Sequence, residues 1–259
     1  MSNSRRKHLP TFNPVLFLVL LNLARYHAGW IDPDTNISDK FAKSFVDGRA
    51  YELVFSDEFE KSGRTFKDGE DPRWTSIHKD DYTNFALHYY NSDLARTNNG
   101  VLNISTIVKD VTFPINSFEK KAKKDTKNYQ SGMIQGWNKF CFTGGIVEIA
   151  AQLPGRWDVG GLWPAMWLLG NLARATYVGS SNNVWPWSYD TCTKALQYEQ
   201  AVSACNTVGH YDLHAKKGRG APEIDILEAM GGREPLPSTT VGKPYFSTSL
   251  QVRAEYDCE

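Results

Sequence analysis

The sequence predicts an all-β chain, and three observations carry that expectation. First, from Tyr51 onward apolar and aromatic residues come in short runs: "YELVFSDEF", "FALHYYN", "LARTNNGVLNISTIV", "YQSGMIQGW", "FCFTGGIVEIAAQL" and "LWPAMWLLG". Gly, Pro, Asn and Asp punctuate them, as turns punctuate strands. Second, Asn99-Gly100 precedes a stretch in which Leu102 and Ile104 alternate with Asn103 and Ser105, the signal of a tight hairpin. Third, "PEIDILEAM", residues 222–230, fails as a helix and succeeds as a strand, as argued below. The pattern is antiparallel β rather than βαβ.

A chain of 259 residues with 41% hydrophobic content can bury a core. Lys plus Arg equals Asp plus Glu at 29 each, so no net field steers it to nucleic acid or to an anionic surface. Arg5, Arg6 and Lys7 precede the apolar run "VLFLVLLNLA", residues 15–24. That length fits the apolar centre of a signal peptide and falls short of the roughly 20 residues of a membrane span. Three readings stay open for it: a cleaved signal peptide, an uncleaved signal anchor that associates the chain with a membrane, and a buried helix. Either of the first two places the remainder in the secretory pathway. Asn36-Ile37-Ser38 and Asn103-Ile104-Ser105 are N-glycosylation sequons, in agreement with that route. The expected organisation is therefore 1–28 signal or anchor, 29–50 linker with a short helical patch from Ser38 to Gly48, and 51–259 globular domain.

The four cysteines, Cys141, Cys192, Cys205 and Cys258, include no C-x-x-C pair, which argues against a zinc ribbon or a thioredoxin-like site. Cys192 and Cys205 would close a short loop and are the favoured bridge, while Cys141 sits in an apolar run and reads as a buried thiol. His210 and His214 are four apart, but no Glu follows the first, so a surface or structural role is expected and no metal. No cofactor is expected either. The charged run at residues 118–128, "FEKKAKKDTKN", reads as a solvated loop. Residues 171–220 read as a long irregular insertion of the kind that borders functional sites.

Aromatic residues make up 13% of the chain, and tryptophans gather at Trp157, Trp163, Trp167, Trp185 and Trp187. Such rings are core material first, yet their flat apolar faces also suit the faces of sugars.

Between Pro222 and Gly231-Gly232 stand three carboxylates, Glu223, Asp225 and Glu228, with no basic residue among them. At about 100° per residue they form no helical face and leave no apolar stripe. As a strand, Glu223 and Asp225 share one face, and Ile224 and Ile226 share the other, facing a core. Strict alternation would turn Glu228 away; a β-bulge at Ile226-Leu227 would return it to the acidic side. Three carboxylates in a row repel, and at least one must hold its proton above the ordinary range. Glycoside cleavage needs that pairing of an ionised carboxylate with a protonated one. The residues alone leave two alternatives open, an acidic calcium site and a solvated strand face.

"EIDILE" resembles the E-x-D-x-x-E signature of the retaining glycoside hydrolases of family 16. "GWIDPDT", "LVFSDEF", "YQSGMIQGWNKFCFTGGIVEIAAQLPG", "GLWPAMWLLGNLARATY", "WPWSYDTC" and "GRGAPEIDILEAM" are similar to the fungal-type β-1,6-glucan synthesis-associated branch of that family. The resemblance implies a concanavalin-like β-jelly-roll sandwich, with Glu223 as nucleophile, Asp225 as assisting residue and Glu228 as general acid/base. It implies a β-glucan partner, with Trp163 and Trp167 lining the cleft; Trp185 and Trp187 are expected as outer sugar platforms. Family 16 domains continue through several strands after the catalytic one, so the sandwich is expected to be incomplete at its C-terminus. A plain endo-β-1,3-glucanase and an inactive glucan-binding protein are the rival functions.

Overall fold

The computed structural model of the chain describes residues 29–115, 123–177, 183–195, 197–198, 200–209, 214–232 and 244–253. The expected signal or anchor segment, His210 and Cys258 lie outside the described residues. Among those residues no helix is long and apolar enough to cross a membrane.

The described residues are all-β in class, as the sequence predicts. In chain order the strands are β1 (Phe41–Lys43), β2 (Ala50–Glu52), β3 (Thr75–Ser76), β4 (Lys79–Asp80), β5 (His88–Tyr90), β6 (Ala95–Asn98) and β7 (Val101–Ile104). They continue with β8 (Ile107–Ile115), β9 (Lys123–Ser131), β10 (Ile134–Gln135), β11 (Ala165–Leu169), β12 (Glu223–Met230) and β13 (Tyr245–Gln251). Two 3-10 turns, Ile37–Lys40 and Ser92–Leu94, are the helical elements among the described residues.

The chain divides into two compact units, one of Met1–Asp80 with Leu87–Ile146 and one of Asp81–Ala86 with Val147–Glu259. In the first, β4-β5-β9-β8 form the largest sheet, beside the pairs β1-β2, β10-β3 and β6-β7. The β6–β7 hairpin turns at Asn99-Gly100, where both residues have positive φ (52° and 75°), the geometry for which Asn-Gly is favoured. Trp30, Phe55, Phe59, Phe66, Trp74 and Phe140 pack ring on ring. The Arg64 guanidinium lies over Phe59 and Phe66 and grips Asp57 with two bonds of 2.6 and 2.7 Å. Burial pushes the Asp57 carboxyl up, but Arg64 outweighs it and the net shift is downward.

Five expectations give way to the structure. Residues 29–50 are not a linker: β1 pairs with β2, and the turn between them is fixed by Ser44, whose Oγ accepts from the amides of Val46 and Asp47. Of the Ser38–Gly48 helical patch, residues 38–40 lie in the 3-10 turn Ile37–Lys40 and the remainder belongs to that hairpin. The charged run at 118–128 is not wholly loop, because Lys123–Asn128 belong to β9, whose partner β8 supplies the ladder. "FCFTGGIVEIAAQL" forms no strand, since no described strand pairs with it, and Cys141 within it is exposed rather than buried.

The second unit is built on the antiparallel sheet β11-β12-β13, with β12 in the centre. Val184, Ala173 and Ala221 form a small core beside it, with Leu169 and Leu172 packed against them. A disulfide joins Cys192 to Cys205 in the long irregular region. The back of the sheet departs from expectation: Ile224 is 44% exposed and its cross-strand neighbour Leu250 is 60% exposed. Alternation does put Ile224 on the face opposite the acids, but no described segment covers it there.

Candidate active site

The predicted bulge is present. On β13, Ser249 pairs with Asp225 and Ser247 with Glu228, so Ile226 and Leu227 together oppose Thr248 alone. On β11, Trp167 pairs with Asp225 and Met166 with Leu227, so Ile226 is again the extra residue. With one residue added against both neighbours, the later alternation reverses and Glu228 returns to the side of Glu223 and Asp225. The row is flanked by Leu169, Trp167 and Ala165 on β11 and by Gln251, Ser249 and Ser247 on β13.

Asp225 is 5% exposed, the most enclosed of the three acids. It is hydrogen-bonded to Glu223, and the Ser249 hydroxyl donates to its Oδ2. Gln251 Nε2 donates to Ser249 Oγ at 3.2 Å. The Glu223 carboxyl is pushed up to about 7, first by its own burial, then by the hydrogen bond and charge of Asp225, and less by the charge of Glu228. A hydrogen bond from Trp185 opposes that rise. One acid holding its proton was expected; the carboxyl raised here is Glu223, because it is buried beside a second carboxylate.

Trp163 Nε1 donates to Glu228 Oε1 at 2.9 Å, although the residue is 50% exposed. Trp167 stands across from Asp225. Trp185 reaches Glu223 because its segment is tied to the entrance of β12. The Val184 carbonyl accepts from Ala221 N at 3.1 Å, and Ser188 N donates to Arg219 O at 2.8 Å. A Cβ on Gly220 would lie 2.2 Å from the Trp187 ring, so "GRG" before the acidic motif is what lets the chain pass. Trp187 is not brought to the acids by any contact. Its ring packs on Gly220 with the Arg253 guanidinium 5.3 Å from its centroid, which makes it a brace for the loop.

Asn36 and Asn103 are exposed, and the Asn36 side chain caps the 3-10 turn that follows it. Among the described residues no group of three or more His, Cys, Asp or Glu has the geometry to hold a metal ion. Sequence reasoning missed Ser249 and Gln251. The signal was available in "YFSTSLQ", where Ser247, Ser249 and Gln251 alternate with Phe246, Thr248 and Leu250.

The all-β chain thus carries a bulge-aligned row of three acids, with indole N–H groups on the outer two. Comparison with known proteins gives the family: the pattern of the β-glucan synthesis-associated protein SKN1/KRE6/Sbg1 family matches residues 15–258, and the chain belongs to that family. It is 38% identical over 244 residues to the β-glucan synthesis-associated protein KRE6 of Saccharomyces cerevisiae, covering 89% of this chain and 31% of that one. SKN1 of the same yeast is also 38% identical, with 89% and 29% covered. KRE6 of Candida albicans is 38% identical over 229 residues, with 83% and 28% covered. The chain thus spans at most 31% of the length of these curated relatives. Among solved structures, an endo-β-1,3-glucanase from Pyrococcus furiosus aligns with a TM-score of 0.38 and 20% identity, covering 81% of this chain and 64% of the other.

Proposed function

We propose that the chain is a retaining glycosidase or transglycosidase of glycoside hydrolase family 16 type, acting on β-glucan in β-1,6-glucan synthesis and cell-wall organisation. One observation carries the reading: the bulge aligns Glu223, Asp225 and Glu228 on one face, with Asp225 hydrogen-bonded to Glu223. The relatives named for β-glucan synthesis support the substrate class.

In the proposed reaction, Glu228 in its acid form protonates the leaving sugar oxygen while the Glu223 carboxylate bonds to the anomeric carbon. Glu223 attacks only as the anion, so its proton must first pass to Asp225 or to solvent. Glu228, now ionised, then takes the proton of the incoming hydroxyl, which displaces Glu223 from the sugar. Water as acceptor gives hydrolysis and a sugar hydroxyl gives transfer. Trp163 orients Glu228 through its indole N–H, and the exposed part of that ring offers a sugar face. The chain enters the secretory pathway through its N-terminal apolar segment, which anchors it to the membrane or is cleaved on the way to the wall, and it is glycosylated at Asn36 and Asn103.

Incubation of the purified protein with β-1,3- and β-1,6-glucan oligosaccharides tests the reading. Shortened products identify a hydrolase and lengthened ones a transferase. Unchanged oligosaccharides, with binding retained and unaffected by Glu223→Gln, would leave a glucan-binding protein instead. For the order of roles, Glu228→Ala should keep activity on substrates with good leaving groups and be rescued by azide, whereas Glu223→Ala should not.

A further inference from the structure

We infer that Ser249 and Gln251 on β13 are positioning residues that fix the proton shared by Glu223 and Asp225; this rests on the reading of that pair as the nucleophile and its assistant. The geometry is directional. Gln251 Nε2 is a donor only, and at 3.2 Å it occupies a lone pair of Ser249 Oγ. The serine hydrogen is thereby left to point at Asp225 Oδ2, with which it makes a hydrogen bond. With Oδ2 engaged as an acceptor, the proton of the Glu223–Asp225 hydrogen bond is kept on the side facing Glu223.

Among the described residues no other neighbour takes this part. Opposite the acids, β11 presents Ala165, Trp167 and Leu169, and β13 presents Ser247 besides the two residues in question. Glu228 is the other titratable group acting on Glu223, and Trp185 donates to Glu223 itself. Arg253, two residues beyond the end of β13, is held over the Trp187 ring. The sole hydroxyl donor to Asp225 among the described residues is therefore Ser249, and its orientation depends on Gln251.

The sign of the effect follows. Ser249 stabilises the carboxylate forms of the pair, so its removal makes each deprotonation of the pair harder. Loss of a hydrogen bond to a charged group moves such a midpoint by about 1–2 pH units. The test is titration of the 13C-labelled side-chain carboxyls of Glu223 and Asp225 by NMR in the full chain, in parallel with the pH profile of kcat/KM on glucan oligosaccharides. Ser249→Ala should move the upper midpoint of the pair to higher pH by about 1 unit, and the acid limb of the profile with it. Ser249→Thr, which keeps the hydroxyl, should restore both, and Gln251→Leu should give a smaller shift in the same direction. Midpoints in Ser249→Ala that coincide with those of the unaltered protein would overturn the inference. If the NMR midpoints shift while no glucan is turned over by any form, the proton-positioning role stands and the proposed activity falls.

Discussion

At the scale of the residue, the central finding is a carboxyl with two conflicting tasks. Glu223 is held up to about 7 by burial and by Asp225, yet as the proposed nucleophile it must be ionised. Its activity should accordingly fall about tenfold per pH unit as pH drops below about 7, which a kcat/KM profile reads directly. Trp185→Phe removes the one donor that opposes the rise, so the acid limb should move further up. Stability runs the other way. An acid whose folded-state pKa is raised binds more protons folded than unfolded, between its ordinary value of 4.5 and about 7. Across that window the native state loses stability as pH rises. Glu223→Gln removes the charge, so at pH 8 it should raise the thermal midpoint while abolishing turnover; an unchanged or lower midpoint would show that the pair is not strained. Trp163→Phe deletes the indole donor to Glu228 and should lower kcat by about 10-fold or more, the usual cost of a lost bond to a charged group.

At the scale of the element, β12 is a strand with one extra residue, and that residue makes the site. Deleting Ile226 should restore plain alternation, turn Glu228 to the opposite face and abolish turnover while the sheet still forms; retained activity would refute the role given to the bulge. This bulge was legible in the sequence because two carboxylates on one face and a third at odd spacing cannot otherwise meet. The Asn99-Gly100 hairpin was legible because few residue pairs tolerate two positive φ values in succession. What could not be read was pairing. "FCFTGGIVEIAAQL" has the composition of a strand, but a strand exists only against a partner, and composition does not name one. The same holds for Ile224, whose place on the back of β12 follows from alternation while its cover does not. Trp185 and Trp187 look equivalent in "WPW". Only the approach of Gly218-Arg219-Gly220 separates the one bonded to Glu223 from the one packed under Arg253.

At the scale of the whole molecule, the long segment before β12 brings Trp185 to Glu223, and the Cys192–Cys205 disulfide closes a 13-residue separation within it. Replacing both cysteines by alanine should lower stability by about 2–3 kcal/mol, read as a shift in denaturant midpoint, because a loop of that size gains that much freedom when unfolded. On the proposed secretory route, Asn→Gln changes at the exposed Asn36 and Asn103 should remove one glycan each from the expressed protein. The proposed reaction turns on a covalent bond between Glu223 and the sugar. The most direct measurement is mass spectrometry of the peptide containing residues 222–230 after incubation with an activated 2-deoxy-2-fluoro-β-glucan oligosaccharide, which slows release of the intermediate. The account predicts one sugar adduct, on Glu223. An adduct on Glu228, or glucan turnover with no adduct on either residue, would contradict it.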